Sequence, residues 1–104
     1  MARPGRESGG EVKEKPKAKV RKPQLFHVIL YNDDYTTTDF VVHVLQTVFQ
    51  KGPAEAFRIM MDVHRRGRGV CGAYTYEVAE TKVATVHEMA QGEGFPLRAS
   101  VEEA

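Results

Sequence analysis

Tyr31-Asn32-Asp33-Asp34-Tyr35-Thr36-Thr37-Thr38-Asp39 is the stretch on which the reading of this chain turns. On its N-terminal side, Leu25-Phe26-His27-Val28-Ile29-Leu30-Tyr31 is short, apolar and rich in β-formers. It predicts a strand near the middle of a sheet. On its C-terminal side, Phe40, Val41, Val44, Leu45, Val48 and Phe49 recur at helical spacing, predicting a helix to about Gln50. Thr36 followed three residues later by Asp39 reads as the start of that helix, a capping box with Asp in place of Glu. A strand-to-helix junction puts polar side chains at the mouth of a core. Asn32, Asp33 and Asp34 supply carbonyl and carboxylate acceptors with little positive charge to offset them, which suits a cationic ligand. The same residue types also make plain turns by bonding their own backbone. The stretch alone does not separate the two readings.

Outward from the junction, Gly52-Pro53 breaks the first helix, and Pro53 fits the first turn of a second. That helix is expected from about Ala54 to Arg66. Phe57, Met60, Met61 and His64 fall at i, i+3, i+4 and i+7, one face, so His64 is expected to point with the apolar side chains. Gly67 ends the helix in the manner of a left-handed cap. Gly69 to Thr75 reads as a second strand whose glycines let another element approach closely. A third helix is expected from about Tyr76 to Gln91, burying Val78, Ala79, Val83, Val86, Met89 and Ala90. Phe95 to Val101 reads as a last strand. The order is β-α-α-β-α-β. It predicts an α+β fold: a small antiparallel three-stranded sheet carrying three helices on one face.

The 104 residues are enough for one domain with a modest core. Cys71 is alone, so no intrachain disulfide can form, as fits a reducing compartment. No apolar run approaches the roughly 20 residues of a membrane span, and the basic N-terminus lacks the apolar centre of a secretory signal. A cytoplasmic location is expected. The net charge of +1 hides an asymmetry. Residues 1–23 hold eight Lys and Arg against three Glu, a net of +5, while residues 24–104 hold seven basic against eleven acidic side chains, a net of −4. The first segment is rich in Pro and Gly and has too little apolar surface to offset backbone ordering, so it reads as a disordered basic tail. The folded domain is expected over 24–104.

His64 gives the acceptor loop its meaning. A histidine on an apolar helix face is commonly a satisfied core residue. If the second helix packs near the end of the first strand, however, Asn32, the aspartates and His64 converge. A neutral imidazole has one acceptor nitrogen, and an ammonium has three donors to distribute. Leu30, Val41, Met60, Val63 and Leu97, with Thr36 and Thr38 at the edge, would form the adjoining surface. Acceptors beside such a lining suit a free α-amino group next to a large apolar side chain, which is the N-terminus of a polypeptide. Each of these apolar residues could also be ordinary core.

Three ordered segments carry a resemblance: Tyr31 to Val42, Met61-Asp-Val-His-Arg-Arg-Gly-Arg-Gly-Val-Cys-Gly-Ala-Tyr-Thr, and Tyr76-Glu-Val-Ala-Glu-Thr-Lys-Val. With them the chain resembles the ClpS family, adaptors of Clp-type AAA+ proteases, from about Phe26 to Glu103. The resemblance implies an adaptor, not an enzyme, and no cofactor or metal. Such an adaptor binds proteins that begin with Leu, Phe, Tyr or Trp and hands them to a ClpA- or ClpC-type unfoldase for degradation by ClpP. It implies that Asn32, Asp34 and His64, with Asp33 beside them, hold the substrate α-amino group. It implies a side-chain pocket of Leu30, Tyr31, Thr36, Thr38, Val41, Met60, Val63 and Leu97. Glu77 and Lys82 match the face that meets the unfoldase, and the tail matches the segment used in delivery. A monomer is expected. The chain departs from the family at Thr37-Thr38, where Pro-Met is common and the methionine gates against β-branched N-terminal residues. The shorter Thr38 is expected to widen the mouth and admit Ile or Val.

Two rivals remain. An enzyme would use Asp34 and His64 as a base pair or metal ligands. However, His27, His43 and His87 are scattered, and no nucleophile motif or phosphate loop is present. A nucleic-acid- or ribosome-associated domain would have to rely on the basic tail, because the folded part is acidic. The tail has no aromatic residues to stack on bases.

Overall fold

The computed structural model describes residues 22–104. Six elements follow one another: β1 (Phe26–Tyr31), α1 (Thr38–Thr47), α2 (Pro53–Arg66), β2 (Arg68–Tyr74), α3 (Tyr76–Glu93) and β3 (Arg98–Glu103). The strands form one antiparallel sheet in the order β2-β1-β3, so β1 is central. The tail read at 1–23 lies outside the described residues except for Lys22 and Pro23, which are exposed.

Side chains alternate along β1. Val28 and Leu30 join the core shared with all three helices, while Ile29, equally buried, lies outside that cluster. Pairing with β2 shifts register between Val28 and Ile29: Val28 stands opposite Gly72 and Ile29 opposite Val70, leaving Cys71 as an extra residue. The bulge turns Cys71 into the core, where burial pushes its thiol up to about 12.

The helix faces follow from the packing. α2 buries Ala56, Ile59, Met60 and Val63, so the stripe is rotated from the one expected through Phe57, Met61 and His64. Phe57 is 57% exposed. The cause is Gly69 on β2, where an added Cβ would stand 2.8 Å from Val63 Cγ2 and 3.3 Å from the Ile59 carbonyl. This close approach turns Ile59 and Val63 onto the sheet and leaves His64 at the edge of the buried face, exposed. In α3, Ala79, Val86 and Ala90 are buried, whereas Val78 is 44% exposed. β3 begins at Arg98, three residues later than expected at Phe95. Phe95 instead packs on Phe40, with ring centroids 5.1 Å apart, and Pro96 has no N–H for a sheet ladder.

The end of α1 is closed from a distance. Its last helical residue is Thr47, not Gln50, and Gln50 itself adopts a φ of 52°. The Lys82 ammonium of α3 donates to the Val48 carbonyl at 2.7 Å and lies 5.2 Å from the Tyr74 ring centroid and 5.8 Å from that of Phe49. A cation at a helix C-terminus offsets the partial negative charge of the unpaired carbonyls.

Candidate functional site

The loop between β1 and α1 is built on Asp33. Its Oδ1 accepts from the amides of Tyr35 at 2.8 Å and Thr36 at 2.7 Å, and its Oδ2 accepts from the Thr36 hydroxyl at 2.7 Å. Burial acts to raise the Asp33 pKa. The donations from the Thr36 amide, the Thr36 hydroxyl and the Tyr35 amide outweigh it and hold the carboxyl below its ordinary value of 3.8. With Thr36 taken by Asp33, the cap of α1 passes to Thr37, whose Oγ1 accepts from the Phe40 amide at 3.1 Å. The expected Thr36–Asp39 box is not formed.

The loop is fixed to α2 by one backbone bond. Gly67 follows α2 in the left-handed conformation, φ 88°, and its carbonyl accepts from the Asn32 amide at 2.9 Å. A residue with a Cβ pays a conformational penalty there. This bond sets Asn32 beside the last turn of α2, which carries His64 three residues before Gly67.

The result is a cavity of about 280 Å³ lined by Asn32, Asp33, Asp34, Thr36, Thr38, Val41, Met60, Val63 and His64. It gathers the whole expected α-amino set and most of the expected side-chain pocket. Val41, Met60 and Val63 are 6%, 7% and 3% exposed, so one set of atoms serves as core and as cavity floor. Among the described residues, the side chains of Asn32, Asp34 and His64 make no hydrogen bond. All three are exposed and line this cavity, and Asn32 and Asp34 border a second one as well.

Three expected pocket residues lie elsewhere. Leu30 and Leu97 are 0% and 3% exposed and do not line the cavity. Tyr31 points to the other side of the sheet, as alternation from Leu30 requires. Its hydroxyl is 2.7 Å from Ser100 Oγ, and its ring lies between Arg68 and Arg98, whose guanidinium carbons stand 5.8 and 5.2 Å from the centroid. Tyr31, Tyr35, Pro96 and Arg98 line a second cavity of about 460 Å³ that shares Asn32, Asp33 and Asp34 with the first. Sequence reading did not find this cavity. The sequence held half of the signal, the alternation that turns Tyr31 away from Leu30; its pairing with Arg98 needed the strand register.

Glu77 is exposed in the first turn of α3, whereas Lys82 is half-buried and engaged with Val48, Phe49 and Tyr74. Among the described residues, no group of three or more His, Cys, Asp or Glu could hold a metal ion. No described helix is long and apolar enough to cross a membrane.

A small α+β domain with a cavity lined by exposed acceptors on one side and core side chains on the other has the form of a binding module. The family of ATP-dependent Clp protease adaptor proteins, ClpS, matches residues 21–100. The ATP-dependent Clp protease adapter protein ClpS of Desulfatibacillum aliphaticivorans is 59% identical over 93 residues, 89% of either chain. That of Nitratidesulfovibrio vulgaris is 60% identical over 84 residues, 81% of this chain and 84% of its own. A solved structure of Agrobacterium tumefaciens ClpS2 bound to L-phenylalaninamide superposes with a TM-score of 0.76 at 37% identity, covering 80% of this chain and 100% of that one. The protein is therefore a protease adaptor and not an enzyme. The chain belongs to the ClpS family.

Proposed function

We propose that this adaptor holds the free N-terminal residue of a substrate protein in the 280 Å³ cavity and brings it to a ClpA- or ClpC-type unfoldase for degradation by ClpP. One observation carries the reading: Asn32, Asp34 and His64, with no internal side-chain partners among the described residues, line the same cavity as Val41, Met60 and Val63. Three acceptors match three ammonium donors, and the apolar floor suits Leu, Phe, Tyr or Trp. Asp33 uses three of its roughly four acceptor positions within the loop, so it contributes fixed negative charge and holds the loop in shape. The phenylalaninamide held by the Agrobacterium relative has the same two parts, a free α-amino group and a large apolar side chain. The exposed Glu77 and the neighbouring α3 surface are the face offered to the unfoldase.

The test is fluorescence anisotropy with a Leu-initiated peptide and its acetylated twin. The free peptide is expected to bind modestly, since one side chain and one ammonium bury little area. Acetylation removes the charge and most donors and leaves the acceptors unpaired, so binding is expected to fall by about 100-fold or more. Raising the pH through about 8, where an α-amino group titrates, weakens the free peptide only. Equal binding of both peptides, or of neither, would overturn the reading. Removing residues 1–23 is expected to leave peptide binding intact and abolish delivery.

A further inference from the structure

The second cavity, on the outer side of the acceptor loop, is unlike the first in chemistry. Its new walls are Tyr31, Tyr35, Pro96 and Arg98, and the wall it shares with the first is Asn32 to Asp34. The divider is the short stretch Asn32 to Asp34, whose residues line both cavities. Tyr35 is 76% exposed, the most exposed of the large apolar and aromatic side chains described. Arg98 differs from its neighbour across the Tyr31 ring. Arg68 is bonded to Glu102 at 2.8 Å, whereas Arg98 has no carboxylate partner among the described residues. Tyr31 holds Arg98 in place from beneath, and the Ser100 bond holds Tyr31.

We infer that this outer cavity receives the residues that follow the N-terminal one, and that Arg98 selects an acidic side chain at the second, third or fourth position. This rests on the N-terminal residue occupying the inner cavity. An extended peptide advances about 3.3 Å per residue, so two or three residues carry it across the divider. The charge pattern then matches end to end. The ammonium faces the carboxylate and carbonyl acceptors of the inner side, and a carboxylate a few residues on meets the guanidinium of the outer side. Asp34 stands on the divider and works against an acidic side chain placed too early. The preference therefore depends on position rather than on overall peptide charge. Tyr35 and Pro96 form the flat sides between which the peptide backbone passes.

The experiment compares Leu-initiated peptides carrying Glu, Gln or Lys singly at positions two, three and four, with leucinamide as a probe of the inner cavity alone. Full-length protein, Arg98→Gln and Arg98→Glu are titrated with each. Glu at one position is expected to bind roughly two- to fivefold tighter than Gln there, the range an exposed ion pair supplies. Arg98→Gln is expected to abolish that advantage, and Arg98→Glu to transfer it to Lys. Leucinamide is expected to bind all three proteins alike. If leucinamide binds but Glu and Gln peptides are equal at every position, or the Glu advantage survives Arg98→Gln, the outer-cavity assignment is overturned and the inner one stands. If leucinamide binds none of the proteins, the inner reading falls and this one falls with it.

Discussion

The acceptor loop and the N-terminal half of α3 are both singled out by family resemblance, and the structure treats them in opposite ways. At the loop, the side chains of Asn32, Asp34 and His64 are left without internal partners among the described residues. On α3, Lys82 is committed to the Val48 carbonyl and to two aromatic rings, while Glu77 stands free in solvent. The difference shows what substitution can be asked to reveal. A side chain with no internal work can be removed with little effect on the fold, so any change in binding reads its role directly. One with structural work confounds binding with stability.

The sharpest way to break the contrast is His64→Ala. It is expected to weaken a Leu-initiated peptide by about 10- to 100-fold, the loss of one hydrogen bond to a charged group. The melting temperature should hold within about 2 °C, since His64 is exposed. A large fall in melting temperature would make His64 a structural residue. Thr38→Met is next. It narrows the cavity mouth, and the ratio of Leu- to Ile-initiated peptide affinities is expected to rise about tenfold over that of the unaltered protein, a methylene-scale discrimination. Isothermal titration with both peptides reads the ratio, and an unchanged ratio would separate Thr38 from gating.

Lys82→Met tests the other side of the contrast. Loss of the bond to Val48 and of the ring contacts is expected to cost about 1–2 kcal/mol. That is a drop of several degrees in melting temperature for a domain of this size. Leucinamide binding should be unchanged, and Glu77→Gln should leave the melting temperature where it was. The smallest effect concerns Asp33. Its folded pKa is depressed, so the bonds it accepts contribute in full above the unfolded value near 3.8 and are lost as pH falls through the lower folded value. The Thr36 amide resonance is expected to move only below about pH 4 in an acid titration. Movement near pH 6 would assign the loop's order to another group.

The contrast also marks where the sequence was legible. The α+β order and the central place of β1 were readable because strand and helix periods differ strongly. The junction was readable as an acceptor loop, and the structure gathers those acceptors with His64. Individual faces were less legible. Phe57, Met60, Met61 and His64 fit a helical stripe as well as Ala56, Ile59, Met60 and Val63 do, and only the close approach of Gly69 decides between them. Three consecutive threonines are alike by type, so the cap could not be assigned before Asp33 was seen to claim Thr36. Tyr31 was grouped with Leu30 by resemblance although strict alternation separates them. Lys82 gave no sign of its work in sequence, because its partner Val48 lies 34 residues away.

The bond from the Asn32 amide to the Gly67 carbonyl has a temporal consequence. It joins the two halves of the inner cavity, loop and helix, before any peptide arrives. A socket assembled in advance needs no closing step, so arrival is governed by encounter and departure by the few contacts of one residue. If the proposed function holds, release of a Leu-initiated peptide is expected to be fast in a stopped-flow chase, and a short dwell time suits a molecule that passes its cargo on.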